Sequence, residues 1–177
     1  AASAGTDTVQ SSVNFTLAVN IENLTLTGSL DLNGTGNADG NRLIGNGGDN
    51  VLNGAAGNDT MEGGAGDDIY VVDAAGDVVT EAANRGTDTV RTSLAAYTLA
   101  ANVENLQLYV TQDTVARNGN GNSLSNAIVG SNGVNVLSGL DGDDFLYGNN
   151  GNDTRQGGVG NDLLDGGTGD DSMDGGT

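Results

Sequence analysis

Acidic and amide side chains recur at a fixed spacing along two stretches of this chain. In the segment Gly-Gly-Ala-Gly-Asp-Asp-Ile-Tyr-Val at 63–71, we number Gly63 as position one, so that Asp68 stands at position six. Position six of the ten complete repeats carries Asn41, Asn50, Asp59, Asp68, Asn126, Asn135, Asp144, Asp153, Asp162 and Asp171. A regular array of carboxylate and amide oxygens has the chemistry to bind hard cations.

Glycine marks the same repeat. It returns at position one every nine residues, at Gly36, Gly45, Gly54 and Gly63, and then at Gly121, Gly130, Gly139, Gly148, Gly157, Gly166 and Gly175. Position four is also glycine in most repeats, and glycine allows the sharp turns of a left-handed backbone. Such turns expose carbonyl oxygens, which together with carboxylates form an oxygen-only site that suits calcium. Zinc and copper prefer His or Cys, and the chain has neither.

The spacing predicts a solenoid. Six turn residues and three extended residues make half a coil, so two nonapeptides close one coil of about eighteen residues. One side chain of each extended segment, at position eight, points inward: Leu43, Leu52, Met61, Tyr70, Ile128, Leu137, Leu146, Arg155, Leu164 and Met173. Turns one coil apart then stack, which brings Asp144 against Asp162 on one edge and Asp153 against Asp171 on the other.

A longer repeat divides the chain into spacers and blocks. The segment at 5–26 returns at 86–108, and each copy precedes a run of nonapeptides. We predict a β spacer at 1–35, a first β-roll block at 36–72, a second β spacer at 73–120 and a second block at 121–177. The spacers are expected to be irregular coils of the same solenoid, with inward anchors about 17 to 18 residues apart at Val9, Leu26, Leu43 and Met61.

The composition of the chain limits the classes of partner that it can bind. The net charge is −19, with five Arg and no Lys, which disfavours binding to nucleic acid or to anionic surfaces. No apolar run approaches the ~20 residues that span a bilayer. Because the chain has no Cys, cysteine usage does not indicate whether it works in an oxidising or a reducing compartment. The chain lacks an initiator Met and ends within a repeat, at Gly175-Gly176-Thr177, so we expect a fragment of a longer protein.

Catalysis is not expected. The chain has no His, Cys or Lys to act as general base or nucleophile, and it has no Gly-x-Ser-x-Gly motif. The aspartate pairs are better suited to holding a metal. We therefore predict a binding module rather than an enzyme.

The segments GGAGDDIYV, GGVGNDLLD and GGTGDDSMD resemble the repeats-in-toxin (RTX), or haemolysin-type, calcium-binding nonapeptide. The resemblance covers 36–71 and 121–177 and extends more loosely to the spacers. It implies an all-β, right-handed parallel β-roll with several calcium ions between stacked turns along both edges. It also implies a secreted bacterial protein that leaves the cell unfolded by type I secretion and folds outside.

Carried over to this sequence, the resemblance gives a set of calcium ligands. The carboxylates are Asp59, Asp68, Asp144, Asp153, Asp162 and Asp171. The turn carbonyls are those of Gly57, Gly66, Gly139, Gly142, Gly148, Gly151, Gly157, Gly160, Gly166 and Gly169. Weaker or vacant sites are expected where amides replace carboxylates, at Asn41, Asn50, Asn126 and Asn135. Asp67, Asp143 and Asp170, at position five, are expected to be exposed, and Asp7 and Asp88 are expected to be turn residues.

Arg155 departs from the apolar pattern at position eight. An unpaired buried arginine is costly, so we expect either that its guanidinium reaches water or that its coil is distorted. On that interpretation Arg155→Leu stabilises the second block.

The function that follows is a calcium-dependent folding module of a secreted bacterial protein. One alternative is a structural or adhesive segment of a large extracellular protein with a cell-surface or matrix partner. Another is a glycan-binding module accompanying an enzyme, which needs a strip of aromatics drawn from Phe15, Tyr70, Tyr97, Tyr109, Phe145 and Tyr147.

Overall fold

The computed structural model describes residues 5–108 and 114–177, and every regular element in this part of the chain is a β-strand. Tyr109 lies outside the described residues, as does the rest of 109–113 of the second spacer. Across the described ranges there is no helix with the length and hydropathy that a bilayer crossing requires. The chain forms two compact units, residues 1–88 and 89–177.

The first unit is a parallel β-solenoid. Its strands alternate along the chain between two sheets, with the odd-numbered strands in one sheet and the even-numbered strands in the other. The strands are β1 (Thr8–Ser11), β2 (Phe15–Thr16), β3 (Asn23–Leu26), β4 (Asn33–Thr35), β5 (Arg42–Ile44), β6 (Val51–Asn53), β7 (Thr60–Glu62), β8 (Ile69–Val72) and β9 (Val78–Val79).

The second unit has the same alternation. Its even-numbered strands pair in parallel within one sheet and its odd-numbered strands within the other. The strands are β10 (Thr89–Thr92), β11 (Ala96–Thr98), β12 (Asn105–Leu108), β13 (Arg117–Asn120), β14 (Ala127–Val129), β15 (Asn135–Asp141), β16 (Phe145–Tyr147), β17 (Thr154–Val159), β18 (Leu163–Asp165) and β19 (Ser172–Gly176).

The inward residues of each sheet stack in register. Leu43 of β5 pairs with Met61 of β7, and Leu52 of β6 pairs with Tyr70 of β8, and all four are fully buried. Burying such a column is the main apolar stabilisation that narrow coils can provide. The solenoid predicted from the nonapeptide spacing, and the all-β, parallel β-roll architecture that the resemblance implies, are therefore confirmed.

The spacers are wound into the same sheets as the blocks. β3 pairs with β5, and β12 pairs with both β10 and β14, all in parallel register. One anchor was predicted wrongly, because Leu24 and not Leu26 stands between Val9 and Leu43 in the stack. Both leucines of Asn-Leu-Thr-Leu are buried, so periodicity alone could not choose between them.

The end of the second unit is less enclosed. β18 and β19 are the last strands of their sheets among the described residues, so each pairs with a neighbour on one side. Accordingly Leu164 is only partly buried, and Met173 is 55% exposed.

Candidate metal centres between successive coils

The position-six side chains form a buried row along each edge of the solenoid, which we name the inner rows. Asp59, Asp68 and Asp153 are each 1% exposed, and Asp144 is 2% exposed. Asp162 and Asp171, nearer the end of the second unit, are partly buried. These aspartates point into the space between coils and not outward to solvent.

One carboxylate oxygen of each aspartate in the inner rows is used by the backbone. The amide N–H at position six donates to Oδ1 of the position-six residue eighteen residues later, from Asn126 to Asp144 at 2.7 Å and from Asp144 to Asp162 at 2.9 Å. The same bond runs from Asn135 to Asp153 and on to Asp171. This ladder fixes each carboxylate through Oδ1 and does not use its second oxygen, Oδ2.

That second oxygen has no protein partner at four aspartates. Oδ2 is buried and makes no hydrogen bond at Asp59, Asp68, Asp144 and Asp162. Leaving a buried carboxylate oxygen unpaired is expensive, and a bound cation removes that cost. The donor set therefore fits calcium, which takes carboxylate and carbonyl oxygens.

Position-one glycines complete each oxygen cluster. A β-carbon at Gly139 would collide with Oδ2 of Asp144, and it would also meet the carbonyl oxygen of Gly157 in the next coil. The same juxtaposition occurs at Gly157, whose missing β-carbon faces Oδ2 of Asp162 and the carbonyl of Gly175. The predicted carbonyls of Gly139, Gly148, Gly157 and Gly166 all lie along the inner rows in this way.

Position-four glycines lie elsewhere in the turn. Gly142 has φ 118° and Gly151 has φ 120°, the left-handed region that favours glycine. Their carbonyl oxygens face the position-four glycines Gly160 and Gly169 of the next coil, beside the position-five side chains. The structure thus places these carbonyls on a second row. Coordination by position-four carbonyls, including those of Gly57, Gly66, Gly160 and Gly169, stays a prediction.

The position-five side chains make an exposed outer row. Asp67, Asp143 and Asp170 are exposed, as predicted. Here the ladder runs in the opposite direction, since the amide of Asn161 donates to Oδ1 of Asp143 at 2.7 Å. That hydrogen bond, with a second from the Asn161 side chain, lowers the pKa of Asp143. The carboxylates of Asp143 and Asp67 therefore have protein donors, since Asp67 likewise accepts the amide of Thr87.

Burial has the opposite effect in the inner rows. It raises the pKa of Asp59 from 3.8 to about 6 and that of Asp68 from 3.8 to about 7, although each accepts a backbone hydrogen bond that lowers it. Neighbouring carboxylates, among them Asp77 and Asp88, add to the rise. Burial likewise raises the pKa of Asp144 and Asp153. Asp59, Asp68 and Asp144 therefore hold buried carboxylates whose charge burial disfavours, which is the electrostatic condition for cation binding.

The side chains of the asparagines that open each block form hydrogen bonds with neighbouring backbone groups. Oδ1 of Asn41 accepts the amide of Asn37 at 2.7 Å, and Oδ1 of Asn126 accepts the amide of Asn122 at 2.7 Å. Asn50 makes the equivalent bond, while Asn135 donates its amide group to the carbonyl of Arg117. Oδ1 of Asn135, in contrast, is buried without a hydrogen-bond partner. Because an amide is neutral, weak or vacant sites at these four residues stay a prediction.

Both expectations for Arg155, that its guanidinium reaches water and that its coil is distorted, are wrong. Its side chain is 0% exposed, and its strand keeps the register, pairing with Leu137 on one side and Met173 on the other. The guanidinium lies 3.5 Å from Oδ2 of Asp153 and 3.2 Å from Oδ1 of Asp171. The coil is not distorted and the charge does not reach water, so Arg155 is a buried, paired cation.

Three further acidic residues belong to the inner rows. Asp77 accepts the amide of Asp59, and Asp88 accepts the amide of Asp68, each through Oδ1. The expectation that Asp88 is only a turn residue is wrong, because it is 1% exposed and extends the row. Glu81, also buried, lies with Asp68 and Asp88 such that their carboxylate oxygens are within 4.8 Å of one another. Each missed aspartate stands two residues before an inward valine, the spacing of positions six and eight.

The fold and the buried oxygen clusters together define a parallel β-solenoid whose coils place cation-type oxygen donors between them. The family model described as the RTX calcium-binding nonapeptide repeat matches four copies, over residues 35–70, 120–154 and 156–177. These ranges make up more than half of the chain, which therefore belongs to the RTX calcium-binding nonapeptide repeat family. No curated protein and no solved structure gives a significant match.

Proposed function

We propose that this chain is a calcium-dependent folding module of a secreted bacterial protein, and that it winds into its coils when calcium binds after export. The observation that carries the proposal is the set of buried, unpartnered Oδ2 atoms at Asp59, Asp68, Asp144 and Asp162. A folded chain without a cation would carry the full cost of these charges.

The free energy expected from calcium binding is large enough to decide whether the chain folds. A site with a dissociation constant near 10⁻⁴ M gains roughly 1.4 kcal/mol at about 1 mM calcium, as found outside cells. Several such sites rival the ~5–15 kcal/mol by which ordinary domains are stable. The same chain in a calcium-poor cytoplasm remains loose, because glycine entropy and a net charge of −19 oppose compaction.

Binding, and not catalysis, is the role we propose, since the chain has no His, Cys or Lys. The proposal of a surface or matrix partner, with the solenoid as a structural or adhesive element, draws on the repetition of spacer and block along the sequence. A glycan-binding strip is less well supported, because Tyr70 is fully buried and cannot join a surface row of aromatics.

Circular dichroism tests the proposal directly. The wild type is expected to give a coil spectrum in chelator and a β-sheet spectrum in millimolar calcium, with magnesium substituting poorly because it demands a tighter octahedral shell. Asp144→Asn should raise the calcium midpoint several-fold, whereas Asp143→Asn, a neighbouring exposed carboxylate, should leave it unchanged. A β-sheet spectrum of the wild type that is the same with and without calcium contradicts the proposal.

A further inference from the structure

The family match in the first unit ends at residue 70, but the inner row continues beyond it. From Gly63, nine residues lead to Val72 and nine more to Glu81, so Glu81 stands at position one, where the blocks have glycine. A position-one side chain points into the oxygen cluster, as the collisions at Gly139 and Gly157 demonstrate. Glu81 therefore brings a carboxylate to a place where a repeat offers only a carbonyl.

Three carboxylates meet at this point. Asp68 and Asp88 are each 1% exposed and Glu81 is 8% exposed, and one oxygen from each lies within 4.8 Å of the others. Oδ1 of Asp68 accepts the amide of Asn50 in the preceding coil. Oδ2 of Asp68 is buried without a hydrogen-bond partner and lies beside Gly63.

Tyr70 links Oδ2 of Asp68 to Glu81. Its hydroxyl also lies beside Gly63, accepts the Gly63 amide at 2.7 Å and donates to Oε1 of Glu81. The unpartnered Asp68 oxygen therefore faces the Glu81 side of the cluster. Glu81 also lines a surface cleft with Arg85, and at 8% exposed it is the most accessible of the three acidic residues.

We propose that Asp68, Glu81 and Asp88 form a divalent-cation site outside the nonapeptide blocks, with the Tyr70 hydroxyl beside it. Three carboxylates give it more negative charge than a cluster built from one aspartate and a carbonyl. Calcium is the expected ion, because all the donors are oxygen. The inference rests on the proposed function, in that it adds one ion to the same inner row.

Terbium tests this site with a readout specific to it. Terbium takes calcium-type oxygen ligands and luminesces when a neighbouring tyrosine transfers energy to it, and the chain has no Trp to interfere. Tyrosine-excited terbium luminescence of the folded chain should contain a component that calcium displaces. Tyr70→Phe and Glu81→Gln should each remove that component, and Asp143→Asn, which changes an exposed carboxylate outside this site, should retain it.

The ion count supplies the second measurement. Equilibrium dialysis should find about one calcium ion fewer per chain for Glu81→Gln or Asp88→Asn than for the wild type. Luminescence and ion count unchanged in the Glu81 variant overturn this site while leaving the proposed function intact. A wild type that binds no calcium overturns both.

A separate observation concerns the second unit, at the edge that carries Asp153 and Asp171. Among the six predicted aspartate ligands, Asp153 differs because its Oδ2 has a protein partner, the Arg155 guanidinium. Nη1 of Arg155 also donates to the carbonyl oxygen of Gly166 at 3.1 Å, and Nη2 lies 3.2 Å from Asp171. A β-carbon at Gly148 would collide with both Nη1 of Arg155 and Oδ2 of Asp153.

These contacts match those of the Gly139, Asp144 and Gly157 cluster, with a guanidinium in the place of a metal. We infer that Arg155 is a built-in cation that holds the Asp153 and Asp171 coils together without calcium. The position-eight side chain can do this because it reaches the position-one glycine of its own repeat, as Tyr70 also does at Gly63.

Arg155→Leu gives the test, with Arg42→Leu as the control for removing an exposed arginine. Arg155→Leu should bind about one more calcium ion per chain by equilibrium dialysis, and its melting should depend more steeply on calcium concentration than that of the wild type. Arg42→Leu should change neither. An unchanged ion count in Arg155→Leu, measured in calcium where the variant is folded, overturns the inference.

Discussion

At the scale of single residues, position one is glycine because of what lies beside it. Gly139 has no β-carbon, and the freed space is occupied by the Asp144 carboxylate and the carbonyl of the next coil. Gly175 stands at the same repeat position, but nothing lies within 4 Å of where its β-carbon would be. Comparing Gly139 with Gly175 therefore distinguishes the steric requirement of the oxygen cluster from the backbone preference of the repeat.

Gly139→Ala should destabilise the chain by about 1–3 kcal/mol, because the methyl group overpacks the cluster. It should also weaken calcium binding, since it displaces the carboxylate and the carbonyl that hold the ion. Urea unfolding in calcium and a calcium titration in the same buffer measure the two effects. Gly175→Ala should be nearly neutral in both, and equal losses in the two variants would count against the steric account.

Residue-level prediction from sequence succeeded where the frame is unbroken. The inward residues Leu43, Leu52 and Met61 follow from their spacing alone and are fully buried. It failed at Asp88 because Asp68 and Asp88 are 20 residues apart, two more than the eighteen residues of a regular coil. The nine-residue repeat therefore does not place Asp88 at position six. It failed at Arg155 because its partners, Gly166 and Asp171, come from the following coil and are not visible in its own repeat.

At the scale of elements, the spacer strands carry the same core as the block strands. Leu106 of β12 is fully buried and stands in register between Val90 of β10 and Ile128 of β14. Gly119 of β13 lies opposite, and a β-carbon there would come within 2.9 Å of the Leu106 side chain. The variable coil lengths of the spacer are therefore absorbed in the turns, while the strands keep their register.

Leu106→Ala should cost about 2–5 kcal/mol, the usual loss for a large-to-small change in a packed core. A spacer that served only as a linker would lose almost nothing. Leu163→Ala, at a position in β18 that is 62% exposed, should change the free energy of unfolding by less than about 0.5 kcal/mol. Equal and small effects of the two substitutions in urea unfolding would show that β12 is not part of the core.

At the scale of the whole molecule, the distribution of acidic residues sets the response to pH. The chain carries 24 acidic residues, and in the inner rows Asp59, Asp68, Asp144 and Asp153 are each at most 2% exposed. Of these four, Asp153 forms an ion pair with Arg155. Raised pKa values at Asp59 and Asp68 mean that the folded state without metal binds protons more tightly than the unfolded state. Protons and calcium therefore compete for the same carboxylates.

In chelator, stability should fall as pH rises from about 4 to about 7. This follows because the stability gained from protonation is complete below the unfolded pKa of 3.8 and is lost as pH passes the folded values of about 6 and about 7. In excess calcium the trend should reverse, since deprotonation creates the ligand. Because the chain in chelator is expected to be coil near neutral pH, the folded fraction by circular dichroism across this range measures both trends. Trends of the same sign in the two buffers would argue against metal binding by these aspartates.

A crystal structure in excess calcium, with anomalous scattering used to locate the ions, tests directly whether calcium lies between the coils. We expect peaks beside Oδ2 of Asp59, Asp144 and Asp162, a further peak among Asp68, Glu81 and Asp88, and none between Asp153 and Asp171, where Arg155 lies. Fully wound coils whose Asp144 and Asp162 clusters hold no ion would contradict this expectation.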